Sequence, residues 1–354
     1  MEKEKSAAKL LQEKICNSRK HAGLTLSSDE IKTCFDFCED YKAFLDSAKT
    51  EREAVVKTIT LAEKCGFTEF RYGMSLKEGD KVYFNNRGKA VILAVIGSEP
   101  IENGVHLAAA HIDSPRLDLK QNPLYEDNET ALFKTHYYGG IKKYQWAAIP
   151  LALHGVVIKK DGTKVNVNIG EDESDPVFCV TDLLPHLAAD QMKRTPGELI
   201  KGEELNILVG SLPFKDDDVS EKVKLNIMSI LNEKYGMIEA DFLSAELEVV
   251  PAFKAKDVGL DRSMIGSYGH DDRVCSYTAL KAILDCKNVN KTAMVVLTDK
   301  EETGSDGNTG LCSDYLKNFI YDLADCMSAN GRRVITNTEC LSADVNAAYD
   351  PTFP

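Results

Sequence analysis

Four short stretches carry residue types suited to holding divalent cations and activating water: Ala110-His111-Ile112-Asp113, Gly269-His270-Asp271-Asp272, Glu301-Glu302-Thr303-Gly304 and Ser342-Ala343-Asp344. His111 follows an apolar strand-like run, where open α/β sheets place ligands. Asp113, two residues on, can take a hydrogen bond from the second ring nitrogen and fix the tautomer. Taken alone, the tripeptide equally describes a satisfied turn histidine. Asp271 and Asp272 repel each other and favour a cation or a helix N-terminus. A helix cap accounts for one of them, and a carboxylate bridging two metals accounts for the second. His270 reads as a surface histidine rather than a ligand. Neighbouring glutamates at a strand end point in different directions, so Glu301 and Glu302 can divide into a ligand and a general base. Each cluster has a bland reading as a solvated acidic loop, but four of them at element ends in the order His, Asp, Glu-Glu, Asp make coincidence a poor account. No His-Glu-x-x-His helix, Gly-x-Ser-x-Gly elbow or phosphate loop is present, and Gly304–Gly310 lacks the Lys-Ser/Thr of a Walker loop.

The elements that must position these residues are legible in outline. Residues 1–66 read as helical, with Phe44, Leu45, Val55, Val56 and Ile59 at helical spacing and a stop at Cys65-Gly66. Lys81–Phe84, the turn Asn85–Gly88 and Ala90–Gly97 predict a hairpin leading into a buried strand. Val105–Ala110 is a short apolar strand that delivers His111. Residues 123–252 change texture, with strands at Ile149–Ile158, Lys164–Ile169 and Phe242–Val250 and a helix at Asn226–Tyr235. From about residue 253 the pattern returns to α/β: a helix at Ser276–Cys286, a strand at Thr292–Leu297, a helix at Leu311–Ser328 and a strand at Val334–Thr336. The fold class expected is α/β, a largely parallel or mixed sheet covered by helices, with an inserted mainly-β domain. The boundaries are 1–122 plus 253–354 for the catalytic part and 123–252 for the insertion.

Composition excludes some functions. A net charge of −13 argues against nucleic acid. No run approaches the roughly 18 apolar residues of a membrane span, and the charged N-terminus lacks a signal peptide's apolar centre, so a cytoplasmic location is expected. The ten cysteines are scattered, and Cys34 and Cys38 have helical spacing, so reduced and mostly buried thiols are expected rather than disulfides or a structural zinc.

The chain resembles the aspartyl aminopeptidase family of dinuclear zinc exopeptidases, in its bacterial form. The resembling stretches are Phe44–Glu53, His111–Pro115, Tyr138-Gly139-Gly140 with Trp146, Asp271-Asp272-Arg273, Glu301–Ser305 and Ser342–Val345, in order from about residue 41 onward. The resemblance implies His111 and Asp344 on one metal, Asp271 bridging, Glu302 on the second metal, Glu301 as general base and Asp113 orienting His111. It also implies a dodecamer built through the inserted domain, with His186 of Pro185-His186-Leu187-Ala188 reaching a neighbouring active site to help bind the carbonyl oxygen. Two zinc ions are implied, cobalt or manganese being admitted by carboxylate-rich ligation. The substrate class is peptides with a free N-terminus, acidic first residues being what the family name suggests. Two rivals stay open: a related two-metal deacylase or dipeptidase, and a non-catalytic metal-binding scaffold. Relatives carry a last histidine ligand near their C-terminus, and no histidine follows His270 here. The resemblance therefore implies a sequence missing its C-terminal part or an unfinished second metal position. Ala347 and Asp350 stand where relatives often carry histidine, which bears on substrate preference.

Overall fold

The computed structural model describes residues 5–17 and 19–353. The first four residues of the expected N-terminal helical region, together with Ser18 and Pro354, lie outside the described residues. In chain order the elements are α1 (Ala7–Ile15), α2 (Ser28–Ser47), α3 (Glu51–Lys64), β1 (Thr68–Glu69), β2 (Lys81–Asn86), β3 (Ala90–Val95), β4 (His106–His111), β5 (Arg116–Asp127), β6 (Thr130–Tyr138), β7 (Leu151–Ile158), β8 (Lys164–Ile169), β9 (Cys179–Val180) and β10 (Ile207–Gly210). They continue as α4 (Lys222–Tyr235), β11 (Ala245–Pro251), β12 (Lys256–Val258), β13 (Met264–Gly266), α5 (His270–Asp285), β14 (Ala293–Thr298), α6 (Tyr315–Cys326), α7 (Gly331–Asn337) and β15 (Glu339–Ser342).

The first sheet is mixed, in the order β1-β2-β3-β14-β4-β15. Its strands β14, β4 and β15 run parallel, whereas β3 is antiparallel to β14. Alternation along β3 and β14 sorts side chains to two helical layers. Leu93, Val295 and Leu297 face Phe44, Val55 and Leu280 of α2, α3 and α5. Ile92, Met294 and Val296 face Phe319, Leu323 and Val334 of α6 and α7. Both β3 and the end of β14 are buried throughout, as central strands covered on both faces must be. Each such Leu, Ile or Val contributes roughly 1.5–3 kcal/mol through burial. The second sheet, β8-β7-β11-β5-β6-β10-β9, is antiparallel and packs Leu117, Phe133, Leu153 and Leu247 against Val223 and Leu231 of α4. Both ends of β5 pair within this second sheet, on either side of a register shift between Leu119 and Leu124, so the chain crosses into it at Arg116, ahead of residue 123.

Several local expectations change. Val334–Thr336 is helical, not a strand: the Asn330 side chain caps α7 by accepting from the amides of Arg332 and Arg333, and Val334 is buried against α6. The strand forms instead at Glu339–Ser342 beside β4. Helix α5 begins at His270 rather than near Ser276, because Gly269 at φ 77° supplies the left-handed entry that other residues resist. Helix α6 is shorter than expected, and Phe242–Ser244 lies in a 3-10 turn before β11. The cysteines are all unpaired, as expected, but none is buried: five are exposed and five half-buried.

Candidate metal centre

The three parallel strands β4, β14 and β15 end on the same side of the sheet, which brings distant parts of the sequence together. His111 closes β4, paired with Thr298 at the end of β14. Glu301 and Glu302 follow β14 in a 3-10 turn (Glu301–Thr303) entered through Lys300 at φ 74°. Asp344 lies just after β15. Asp271 and Asp272 occupy the first turn of α5, where the helix dipole favours negative charge. One ligand atom each from His111, Glu301 and Asp344 lie within 4.8 Å of one another.

His111 is buried, and its ring is held from behind. Nδ1 lies 3.2 Å from the backbone carbonyl of Asp113, with the Asp113 carboxylate at 3.6 Å. An Nδ1–H donated there leaves the Nε2 lone pair free. Nε2 is buried without a hydrogen-bond partner and faces Asp344 Oδ1 at 3.7 Å and Asp271 Oδ1 at 3.9 Å. An unpartnered buried nitrogen pointing at carboxylates fits a cation between them. Burial alone would lower the imidazole's pKa, but the bond to Asp113 and the charges of Asp272, Asp113 and Glu301 push it up to about 9. So many negative groups with so little positive charge among them is the electrostatic signature of a cation site.

Asp113 acts through its surroundings as much as through His111. Its Oδ1 accepts from the amide of Glu301 at 3.0 Å, and its Oδ2 from the amide of Glu302 at 3.2 Å and from the Tyr138 hydroxyl at 2.7 Å. Burial opposes its ionisation, yet the bonds to His111 and Tyr138 keep its carboxyl below the ordinary range. Glu302 behaves in the opposite way: burial, then the charges of Asp272, Asp113 and Asp271, raise it to about 7. Gly139, at φ 73°, comes so close to Glu302 that a Cβ there would stand 2.9 Å from Oε2.

The two aspartates of α5 differ. Asp271 is half exposed. Asp272 is buried, its Oδ2 3.5 Å from Arg273 Nη1 and its Oδ1 unpartnered, 3.8 Å from His111 Nδ1. Sequence reasoning assigned no separate role to Asp272. Successive helical residues point about 100° apart, so an N-cap read at Gly269 would have been the signal that the two carboxylates face different surroundings. His270 takes no part in the cluster, bonding Tyr41 and the carbonyl of Ile265. His186 lies exposed in a turn after β9 and is not brought to these residues within the chain. A cleft of about 460 Å³ opens beside the cluster, lined by Gly140, Lys142, Trp146, Tyr268, Asp271 and Asp272 among others.

The family model described as aminopeptidase I zinc metalloprotease (M18) matches residues 44–354. A Clostridium acetobutylicum protein named "Probable M18 family aminopeptidase 1" is 54% identical over 336 residues, covering 92% of this chain and 72% of its own length. The crystal structure of an M18-family aminopeptidase from Thermotoga maritima superposes with a TM-score of 0.90 at 42% identity, covering 95% of this chain and 74% of the other. A structure described as an S. cerevisiae mApe1 dodecamer shares the fold at a TM-score of 0.71 and 22% identity, over 90% of this chain and 74% of that one.

Proposed function

Since the chain belongs to the aminopeptidase I zinc metalloprotease (M18) family of metallopeptidase hydrolases, we propose that it removes N-terminal residues from peptides at a two-metal site built from His111, Asp271, Glu302 and Asp344. The observation that carries this reading is the buried, unpartnered Nε2 of His111 facing carboxylates from two other elements. When bound, zinc ions supply Lewis acidity toward the peptide carbonyl and lower the pKa of an attacking water toward about 7. Glu301 takes the proton from that water as it attacks the first peptide carbonyl, then passes it to the leaving amine. Asp113 holds the Glu301 and Glu302 amides and keeps His111 in the tautomer that presents Nε2 outward. Asp271, whose Oδ1 faces His111 Nε2, would be the carboxylate shared by the two ions, whereas the free Oδ1 of Asp272 lies toward Nδ1, the side of the ring turned away from them. The cleft beside these aspartates accepts the peptide.

Residues 1–122 with 253–354 form the catalytic part in this reading, and 123–252 the dimerisation part. A homo-oligomer, dodecameric like the yeast mApe1 structure, would bring His186 to a neighbouring site to bind the carbonyl oxygen. Among the described residues no helix is long and apolar enough to cross a membrane, which is compatible with a cytoplasmic enzyme. The resemblance to aspartyl aminopeptidases extends the proposal to peptides with acidic first residues, and carboxylate-rich ligation admits cobalt or manganese in place of zinc.

The test is metal content per chain together with hydrolysis of aspartyl-, glutamyl- and leucyl-anilides. Two ions and turnover, fastest on the acidic pair, are expected. Glu301→Gln should keep the ions and lose at least about 100-fold in rate. Full turnover by that variant sinks the mechanism, and one ion or none without turnover sinks the two-metal reading.

A further inference from the structure

We propose that the Tyr138 hydroxyl is a positioning group for the Asp113–His111 pair, and that Arg116, stacked on the tyrosine ring, anchors it to a buried charged cluster between the second sheet and helix α3. The inference rests on the metal reading above. Tyr138 ends β6 directly across from Arg116 on β5. The Arg116 guanidinium lies 3.9 Å from the ring centroid, a cation–π contact made where water is excluded. Lys300, the residue before Glu301, places its ammonium 5.1 Å from the same centroid. The hydroxyl donates to Asp113 Oδ2 at 2.7 Å and lies 3.5 Å from the Thr303 hydroxyl in the turn carrying the two glutamates. One side chain thus touches the strand end that carries Asp113, the strand that begins at Arg116 and the turn that carries Glu301 and Glu302.

Arg116 is itself immobilised. It faces Glu51 of α3 at 3.3 Å, Asp118 of β5 at 2.8 Å and Glu248 of β11 at 3.3 Å. Arg116, Glu51 and Glu248 are all buried. An aromatic ring seated on a fixed guanidinium has little freedom, so its hydroxyl is delivered to Asp113 at a set distance and angle. A phenylalanine at 138 would fill the same space and keep the stack. The oxygen is therefore the informative atom, and its removal separates positioning from packing.

The experiment compares wild type, Tyr138→Phe and, as a control, Tyr83→Phe, which loses a comparable bond to Glu63 away from the site. Zinc affinity is read by competition with a chromophoric chelator, the visible d–d spectrum after cobalt loading reports ligand geometry, and melting of the metal-free protein reports the fold. Outer hydrogen-bond partners of metal ligands, the place Asp113 holds, typically govern about 10–100-fold in affinity; Tyr138 stands one bond further out, so Tyr138→Phe should weaken zinc by about 10-fold at most and by a measurable few-fold at least, and shift the cobalt spectrum. Metal-free melting should stay close to wild type, and Tyr83→Phe should leave affinity and spectrum unchanged. Unchanged zinc affinity in Tyr138→Phe overturns the inference. So does an equal loss in both variants, or a loss that merely follows a lowered metal-free melting point. Wild type that binds no zinc overturns the metal reading itself, a separate result seen before any variant is made.

Discussion

Away from the metal centre, His154 sits in β7 between two carboxylates and should make the fold sensitive to alkaline pH. Its Nδ1 lies 2.8 Å from Glu53 Oε1 and its Nε2 3.1 Å from Glu171 Oε1. Lys49 and Lys254 contact the same Glu171, Asn168 reaches His154 Nδ1, and Glu248 is its partner across β11. Burial would lower the imidazole's pKa, but the bonds to Glu171 and Glu53 overcome it and lift the value to about 9 from 6.5. The folded pKa exceeds the unfolded one, so the stabilisation is fully present below about pH 6.5 and disappears as pH rises through 9. A shift of that size is at most about 3 kcal/mol at 1.36 kcal/mol per unit. The depressed pKa of Glu171 reports part of the same interaction and is not added. For a chain this long the loss corresponds to roughly 5 °C in melting temperature. The assay is thermal or urea unfolding of wild type and His154→Gln, with metal content held equal, at about pH 6 and above about pH 9.5. The wild-type advantage should be largest at the lower pH and shrink by most of that amount at the higher. Using the difference between the two proteins cancels other groups that titrate in the window. An advantage of the same size at both pH values would refute a charged His154 in the fold.

The α5 aspartates and Gly139 yield two further expectations. Asp271→Asn should weaken zinc binding more than Asp272→Asn, by roughly 10-fold or more, because Asp271 Oδ1 faces the unpartnered Nε2 of His111 whereas Asp272 lies toward Nδ1; chelator competition on both variants decides, and a larger loss in Asp272→Asn would move the metal role to the buried aspartate. Gly139→Ala should cost about 1–2 kcal/mol from its left-handed backbone and lower kcat/KM further, since the new methyl meets Glu302 Oε2 at 2.9 Å; unfolding and anilide kinetics measure the two parts, and unaltered kinetics would show that Glu302 has room to yield.

What could be read from the sequence was local, and what could not was either a competition or a long-range pairing. His111, Glu301-Glu302 and Asp344 stand out because parallel strands end together, so short motifs after apolar runs converge without any knowledge of the loops between them. Val334-Ile335-Thr336 misleads because its β-branched residues favour a strand in isolation. The Asn330 cap and the burial of Val334 against α6 decide otherwise. Asp271 and Asp272 are chemically identical neighbours, and only the start of α5 determines which one points inward. The thiols of Cys34 and Cys65 lie on outer faces of their helical region, which composition cannot show. Arg116 and Tyr138 carry no motif chemistry that names each other. Their meeting depends on the register of β5 against β6, including its shift between Leu119 and Leu124.

That register also bears on how the two sheets depend on each other. Buried ion pairs give little net stability, because desolvation offsets most of their attraction. The cluster around Arg116 is therefore poorly explained as a source of stability, the more so as burial and the charge of Glu51 push Glu248 well above the carboxylate range. Glu51, held low by Arg116 and Lys89 against its own burial, sits at the start of helix α3, which packs on the first sheet, while Glu248 comes from β11 of the second. Arg116 joins them and lies under Tyr138, so the geometry it fixes is passed to Asp113 and to the turn bearing Glu301 and Glu302. Gly139, Gly140 and Trp146, which follow β6, add to the wall of the site and its cleft. The second sheet is thus part of what places the side chains of the candidate metal centre. A version of the first sheet alone would keep His111, Asp344 and the Glu301 and Glu302 amides on Asp113, but it would lose the Tyr138 hydroxyl that holds Asp113 Oδ2 and the Gly140 and Trp146 walls of the cleft.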